Sequence, residues 1–242
     1  MKTSGLGDRL YVGGNDISGD IGSLSSISGS RATLDFTAIT QKAFERKHGL
    51  RDGSIEFTSY FNPSAGQAHP TLSAMPTSDI IVSYFRGTTV GNPAASLVAK
   101  QIGYDPTRSN DGALTLNTSA QANGYGLEWG VMLTPGTQTD TEPTDSASFD
   151  LGAAGSNGAQ AYLHVFSVTG TSCTVSIESS SDDDDTDPFT SLIDFTAATG
   201  KTSERKTVSG AVDRYLRIAT SGTFVECTFA VVIKVNSTAV SF

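Results

Sequence analysis

The sequence predicts an all-β protein built from two domains. Apolar and polar residues alternate along many short segments, and 25 glycines together with frequent Ser and Thr supply turns between them. Helical spacing is confined to one short stretch. The 242 residues are enough for two domains that each bury a core of their own. We therefore expect an N-terminal β-sandwich or barrel with one short flanking helix, followed by a C-terminal β-sandwich.

The first half of the chain contains a series of predicted strands. In residues 53–61, Ile55 and Phe57 alternate with Glu56 and Thr58, which is the pattern of a strand with one buried and one exposed face. The other strands predicted in this half span residues 31–36, 79–85, 94–104, 113–122 and 125–133.

Residues 37–46 are predicted to form the flanking helix. Ile39, Ala43 and Phe44 recur at the spacing of one buried helical stripe, and Gly49 is well placed to end the helix. Residues 1–30 and 62–78 are poor in apolar side chains, so we expect them to become ordered only against neighbouring subunits.

A polar segment separates the two predicted domains. Residues 134–148 contain two prolines and no apolar side chain except Ala147, which is typical of a linker. The predicted boundaries are therefore 1–135 for the first domain, 136–148 for the linker and 149–242 for the second domain. Four strands are predicted in the second domain, at 161–168, 173–178, 214–220 and 224–235.

The charge composition argues against a protein that grips nucleic acid. The chain has 16 basic and 25 acidic residues, for a net charge of −9. The basic residues are scattered along the sequence, whereas phosphate binding needs them clustered. No signal-peptide pattern or long apolar run is present, so we expect synthesis and residence in the cytosol.

Catalytic motifs are missing from the sequence. It contains no nucleophile elbow, zinc-protease motif, P-loop or dinucleotide-binding fingerprint, and we predict no catalytic residue, no cofactor-binding residue and no cofactor. His48, His69 and His164 are far apart, and we expect them to be ordinary loop or surface residues. The protein is therefore not expected to be an enzyme.

Two groups of carboxylates allow alternative interpretations. Asp35, Glu56 and Glu128 stand in or beside strands, so a pair for glycosidic hydrolysis can be imagined, but polar residues on an exposed or subunit-facing side are the favoured explanation. The acidic run at 182–187 fits a solvated hairpin tip or a weak cation site, and it lacks the spacing of an EF-hand. The weak metal-ligand candidates are Asp182, Asp183, Asp184, Asp185 and Asp187.

The two cysteines, Cys173 and Cys227, share strand parity with apolar neighbours. We expect both side chains to point inward as free thiols, because the expected compartment is reducing. A disulfide between them stays an open alternative.

Several segments resemble the tail tube proteins of siphophages, over roughly residues 15–135. The segments that carry the likeness are ATLDF at 32–36, AFERK at 43–47, GLRDGSIEF at 49–57, RGTTVGNPA at 86–94 and QANGYGLEWG at 121–130. The C-terminal part resembles the immunoglobulin-like or carbohydrate-module-like sandwich domains that some tail proteins display outside the tube.

The resemblance implies a structural role in the virion tail. Members of the family form hexameric rings that stack around a lumen through which the genomic DNA passes without specific binding. The implied partners are further copies of the chain, the tape measure protein and the tail terminator, and assembly would take place in the host bacterial cytoplasm. No membrane partner is implied.

Three other functions compete with this interpretation. A capsid decoration or tail-tip protein could bind cell-surface glycans through its second domain, and Tyr162, Tyr215 or Phe189 would then line an open groove. A β-sandwich hydrolase would bring carboxylates with raised pKa values into one cleft. An unclassified binding protein is the remaining alternative.

Overall fold

The computed structural model describes residues 4–183 and 186–238, and its fold is all-β, as predicted. The elements are β1 (Arg9–Val12), β2 (Asn15–Asp16), a 3-10 turn (Ser18–Asp20), β3 (Ile21–Asp35), β4 (Arg46–Tyr60), α1 (Ala68–Ser73), β5 (Ile80–Phe85), β6 (Pro93–Arg108), β7 (Leu114–Ala122), β8 (Glu128–Met132), β9 (Gln138–Asp140), β10 (Phe149–Asp150), β11 (Ala159–Ser180), β12 (Thr190–Asp194), β13 (Thr202–Val208) and β14 (Tyr215–Val235).

The chain folds into two compact units that do not follow the predicted domain boundaries. The larger unit comprises Met1–Gly19, Ser83–Ser96 and Trp129–Phe242, and the smaller unit comprises Asp20–Val82 and Leu97–Glu128. Residues 136–148, predicted as a linker, lie within the larger unit. There β9 pairs with β14, because a polar segment can still supply backbone hydrogen bonds to a sheet.

The smaller unit is built on an antiparallel sheet in the order β3, β4, β7, β6. Ile55 and Phe57 on β4 and Leu116 on β7 are buried on one face of this sheet, whereas Glu56 is exposed on the other. The alternation predicted for residues 53–61 is therefore confirmed. A bulge in β6 after Gln101 shifts its register, so the strand changes which side chains face the core.

The helix α1 packs on the apolar side of the smaller unit. Its Leu72 is buried, and the Gln101 side-chain amide donates a hydrogen bond to the Leu72 carbonyl oxygen at 2.6 Å. At the start of the helix, the Asp20 carboxylate accepts from the Ala68 backbone N–H at 2.9 Å, which satisfies one of the free amides of the first turn. The segment 62–78 thus orders within its own chain, contrary to expectation.

The larger unit is organised around two long strands. β11 and β14 pair along their whole lengths, β12 and β13 pair with β11, and β8, β9 and β10 pair with β14. The sequence predicted each long strand as two separate ones. Gly170 and Gly222, with φ of 136° and 113°, let the ladder bend without ending. A Cβ at Gly170 would lie 2.5 Å from the Phe224 Cα.

The N-terminal segment also packs into the larger unit, which corrects the expectation that residues 1–30 are too poor in apolar residues to order. Leu10, Tyr11 and Val12 are buried in β1. The Tyr11 ring lies 4.9 Å from the rings of both Phe85 and Phe166. Ile17 is buried as well. These four apolar side chains are enough to order the segment because they join a core that the rest of the unit already forms.

The predicted helix at 37–46 is wrong. Residues 37–45 lie in the loop that joins β3 to β4, Arg46 begins β4, and the single α-helix of the described residues is α1. Ile39 is fully exposed and Phe44 is 69% exposed, so the apolar stripe does not pack against the described part of the chain. A helix of this length is not stable in water without such packing.

Candidate assembly surface

The most unusual part of the smaller unit is the outer half of the β3–β4 hairpin, residues 31–51, which we call the arm. β7 pairs with β4 only from Ser54 to Tyr60, so the described strands give the arm no third strand. No residue of the arm is buried. A two-stranded ribbon of this kind is marginally stable in water and gains stability by binding another surface.

The arm exposes large apolar side chains. The exposed fractions are 47% for Leu34, 53% for Phe36, 101% for Ile39, 69% for Phe44 and 85% for Leu50. Single exposed apolar residues are common in proteins, but a group of five on one ribbon marks an interaction site.

The arm is also cationic, whereas the rest of the chain is acidic. It holds five basic residues and two acidic ones, which gives +3, and the remaining 11 basic and 23 acidic residues give −12. The sequence suggested that the basic residues are scattered, but in the structure five of them share the arm. Two of them cover aromatic rings, because Arg46 lies 4.4 Å from the centre of Phe44 and Lys47 lies 4.8 Å from that of Phe36.

An ion pair with a buried carboxylate holds the base of the arm. Arg51 Nη2 lies 3.2 Å from Glu128 Oε1, and the Glu128 side chain is 1% exposed. Nearby, the backbone at Gly53 packs very closely against Leu127. A Cβ placed on Gly53 would lie only 2.6 Å from the Leu127 Cβ. Glu128, predicted as a candidate catalytic carboxylate, is thus placed in a structural contact.

The strand β3 forms an open edge of the smaller unit. Among the described strands it pairs with β4 alone, and residues 21–30 contain no charged side chain. Proteins usually protect such edges with charges, as in β13 of the larger unit, which carries Glu204, Arg205 and Lys206. The unprotected edge is available for pairing with another chain.

The exposed face of the same sheet is polar. Glu56 stands in one row with Ser119, and Thr58, Asn117 and Asp105 form the next row. The Thr58 hydroxyl donates to the Asn117 side-chain oxygen at 2.9 Å. Both charged groups of these two rows are acidic, so they repel rather than bind phosphates.

The remaining candidate carboxylates do not form a catalytic pair of the predicted kind. Asp35 is exposed at the end of β3, and a hydrogen bond from the Thr37 hydroxyl lowers the pKa of its carboxyl group. Glu56 is exposed on the polar face. A hydrogen bond from Arg214 likewise lowers the pKa of Asp150, to about 2. A general acid at neutral pH needs a shift in the opposite direction.

The acidic run closes the turn between β11 and β12. Asp187 accepts a hydrogen bond from the Ser181 backbone N–H at 2.9 Å, and its own N–H donates to Asp182 at 3.3 Å. Asp184 and Asp185 lie outside the described residues. Within 4–183 and 186–238, no three His, Cys, Asp or Glu side chains are arranged to hold a metal ion.

The three histidines occupy different settings. His48 is exposed on the arm, and His69 lies in α1, where it stacks on Phe61 at 4.4 Å. His164 is completely buried, so its predicted surface position is wrong. The expectation failed because β11 is packed on both of its faces, which strand parity alone does not reveal.

Cys173 and Cys227 are free and buried, as predicted. They contact each other in the core of the larger unit. The Cys227 thiol donates a hydrogen bond to Cys173, which lowers the pKa of Cys173 and raises that of Cys227.

The aromatic residues that would favour the glycan-binding alternative by lining an open groove do not do so. Tyr162 is buried. The guanidinium of Arg214 lies 5.0 Å from the centre of the Tyr215 ring, and that of Arg217 lies 4.5 Å from Phe189. Arginine side chains therefore take up the ring faces that a sugar would need.

Comparisons with known proteins give structural matches of low similarity and no sequence match. No protein-family model matches the chain, and no curated protein matches it.

No helix in the described part of the chain is long and apolar enough to cross a membrane.

The solved structures that match include chains from a gene transfer agent particle and from two phages. A chain of the virion of a native gene transfer agent particle is 14% identical, with a TM-score of 0.42, and the match covers 53% of this chain and 98% of that one. The SPP1 Dit protein, a hub of the adsorption apparatus in phages that infect Gram-positive bacteria, is 10% identical with a TM-score of 0.36, over 94% of this chain and 99% of that one. A chain of the phage P2 baseplate in its activated conformation is 6% identical with a TM-score of 0.31, over 95% and 98%.

Proposed function

We propose that this protein is a structural subunit of a phage tail tube, which assembles with copies of itself into stacked, hexameric rings around a lumen for DNA. The observation that carries the proposal is the arm, an exposed ribbon that is apolar and cationic and that has no third strand among the described strands. The segments that resemble tail tube proteins include much of this arm.

Burial of the arm against a second copy would supply a large part of the assembly energy. Each large apolar side chain that leaves water contributes about 1.5–3 kcal/mol, and five of them are exposed on the arm. Part of this gain is offset by the loss of freedom when subunits associate.

Electrostatic attraction also favours another copy of the chain as the partner of the arm. The +3 of the arm is opposite in sign to the −12 of the remainder, so an arm is attracted to the body of another copy. Such a contact joins two different surfaces, and contacts of this heterologous kind close into rings or continue as filaments.

The open edge of β3 completes the proposal. Pairing of this edge with a sheet edge of the next copy would join the sheets of neighbouring subunits into one wall. The polar face with Glu56 and Asp105 would then line the lumen, where DNA passes without being held. The tape measure protein and the tail terminator would be partners at the tube's interior and end. The role requires no catalysis and no cofactor.

Electron microscopy of the purified protein at high concentration tests the proposal, together with sedimentation velocity. Wild-type protein is expected to form six-fold rings and hollow tubes. The double variant Ile39→Asp, Phe44→Asp is expected to stay monomeric with an unchanged circular dichroism spectrum, because both side chains are exposed in the free subunit. Val225→Asp serves as the control, since Val225 is 65% exposed but lies in the larger unit.

Two results would overturn the proposal. One is a wild-type protein that stays monomeric at every concentration and salt condition. The other is an arm that binds duplex DNA at physiological salt and leaves self-association unaffected when it is mutated.

A further inference from the structure

We propose that a groove in the larger unit binds neutral carbohydrate. The groove has a volume of about 540 Å³. The side chains that matter for the argument are Leu6, Asp8, Arg86, Asn92, Pro93 and Trp129. This size is within the range of small-ligand sites and holds one or two sugar rings.

Trp129 supplies the apolar surface of the groove. It is the single tryptophan of the chain, and 47% of it is exposed. A Cβ on the neighbouring Gly130 would lie 2.3 Å from the Ile233 carbonyl oxygen, so β8 sits directly against β14 and holds Trp129 on a rigid strand. An exposed indole face in a concave site is suited to the apolar C–H face of a sugar ring.

The polar side chains of the groove are held in place before any ligand binds. The Asp8 carboxylate accepts hydrogen bonds from the Tyr84 hydroxyl and from the Gly87 N–H, the latter at 3.0 Å. The Asn92 amide donates to the Arg86 carbonyl oxygen at 2.8 Å. Planar polar groups fixed in this way can hydrogen-bond to sugar hydroxyls at a low cost in conformational entropy.

The charge balance of the groove selects a neutral ligand. Arg86 Nε lies 3.7 Å from the Asp8 carboxylate, so the two charges of the groove offset each other. An anion or a cation would find no unbalanced countercharge there. The rest of the lining combines the apolar side chains of Leu6, Pro93 and Trp129 with the polar side chain of Asn92. A ligand with one apolar face and many hydroxyls matches this lining best.

Tryptophan fluorescence and an array of immobilised neutral oligosaccharides test this site. Because Trp129 is the single tryptophan, titration with a glycan that the array identifies should shift or quench the emission of the wild-type protein. Trp129→Ala and Asn92→Ala should each weaken binding on the array at least tenfold. Tyr60→Ala, an exposed aromatic residue outside the groove, should bind as the wild type does.

Three outcomes would overturn the inference: no binding of the wild-type protein to any neutral glycan on the array, equal binding by the Trp129→Ala and Asn92→Ala variants, or loss of self-association in the Trp129→Ala variant without any glycan binding by the wild type. The last result would assign the groove to a subunit interface. Asn92→Ala keeps the test decisive if Trp129→Ala fails to fold.

Discussion

At the scale of single residues, His164 shows how the core of the larger unit accommodates a polar side chain. The Gly14 backbone N–H donates to its Nδ1 at 3.4 Å, and its Nε2 lies 2.9 Å from the Ser83 hydroxyl. That hydroxyl is 2.8 Å from the Ser96 hydroxyl. A neutral imidazole with its proton on Nε2 can accept the hydrogen bond from Gly14 and donate one to Ser83 at the same time.

Burial lowers the pKa of His164 to about 3, which makes the stability of the protein depend on pH. In the unfolded chain the same imidazole takes up a proton below its ordinary pKa of about 6.5. The free energy of unfolding should therefore fall as the pH drops from about 6.5 towards 3, at a rate of about 1.4 kcal/mol per pH unit for this one group.

Urea unfolding between pH 4 and pH 8 measures this effect. His164→Asn should be less stable at neutral pH and should lose less stability than the wild type on acidification. His48→Gln is the control, because His48 is exposed on the arm. Identical pH dependence in the wild type and His164→Asn would refute the assignment.

At the scale of elements, most strands were predictable because the alternation of apolar and polar residues along a strand is visible in the sequence. Residues 53–61 are an example, since Ile55 and Phe57 are buried and Glu56 is exposed as the pattern indicates. The long strands β11 and β14 were predicted in pieces, because the glycines that let them bend look like turn residues in a sequence.

The arm could not be predicted for a different reason. Its apolar residues satisfy a helical spacing by coincidence. The sequence alone does not reveal that they stay exposed in the described part of the chain. The clustering of its charges was equally hidden, because residues of two separate strands approach each other only in the hairpin. The Trp129 groove is assembled from three distant parts of the chain and has no local signature.

The open edge of β3 yields a prediction for this element. Replacing Ser26 and Ser28 with Lys adds charges to an edge that has none between residues 21 and 30, and this should block pairing with another chain. We expect rings and tubes to disappear in sedimentation velocity and microscopy, with the monomer still folded. Thr207→Lys on the edge strand β13 should assemble normally, and equal assembly of all three proteins would exclude β3 as an interface.

At the scale of the whole molecule, the distribution of charge matters more than its sum. The net charge of −9 suggests mutual repulsion between copies, but it combines a +3 arm with a −12 remainder. Attraction between unlike surfaces can therefore guide association even though the subunits repel on average.

Salt should consequently weaken the first steps of assembly. Raising sodium chloride from about 50 mM to 500 mM shortens the Debye length to a few ångströms and screens the attraction. We expect light scattering to show slower growth of assemblies at high salt, and the variant Arg46→Gln, Lys47→Gln should lose much of this dependence. Faster growth at high salt in both proteins would indicate that apolar burial alone controls the rate.

The arm also bears on the fate of a subunit that never joins an assembly. Its ribbon presents Arg31, Lys42, Arg46 and Lys47 to solvent, and among the described strands its two strands pair only with each other. Proteases recognise extended, accessible segments of this kind, so an unincorporated copy is open to cleavage at the very place that assembly would cover. Degradation of surplus subunits and protection of incorporated ones would then follow from a single hairpin, without a dedicated recognition signal.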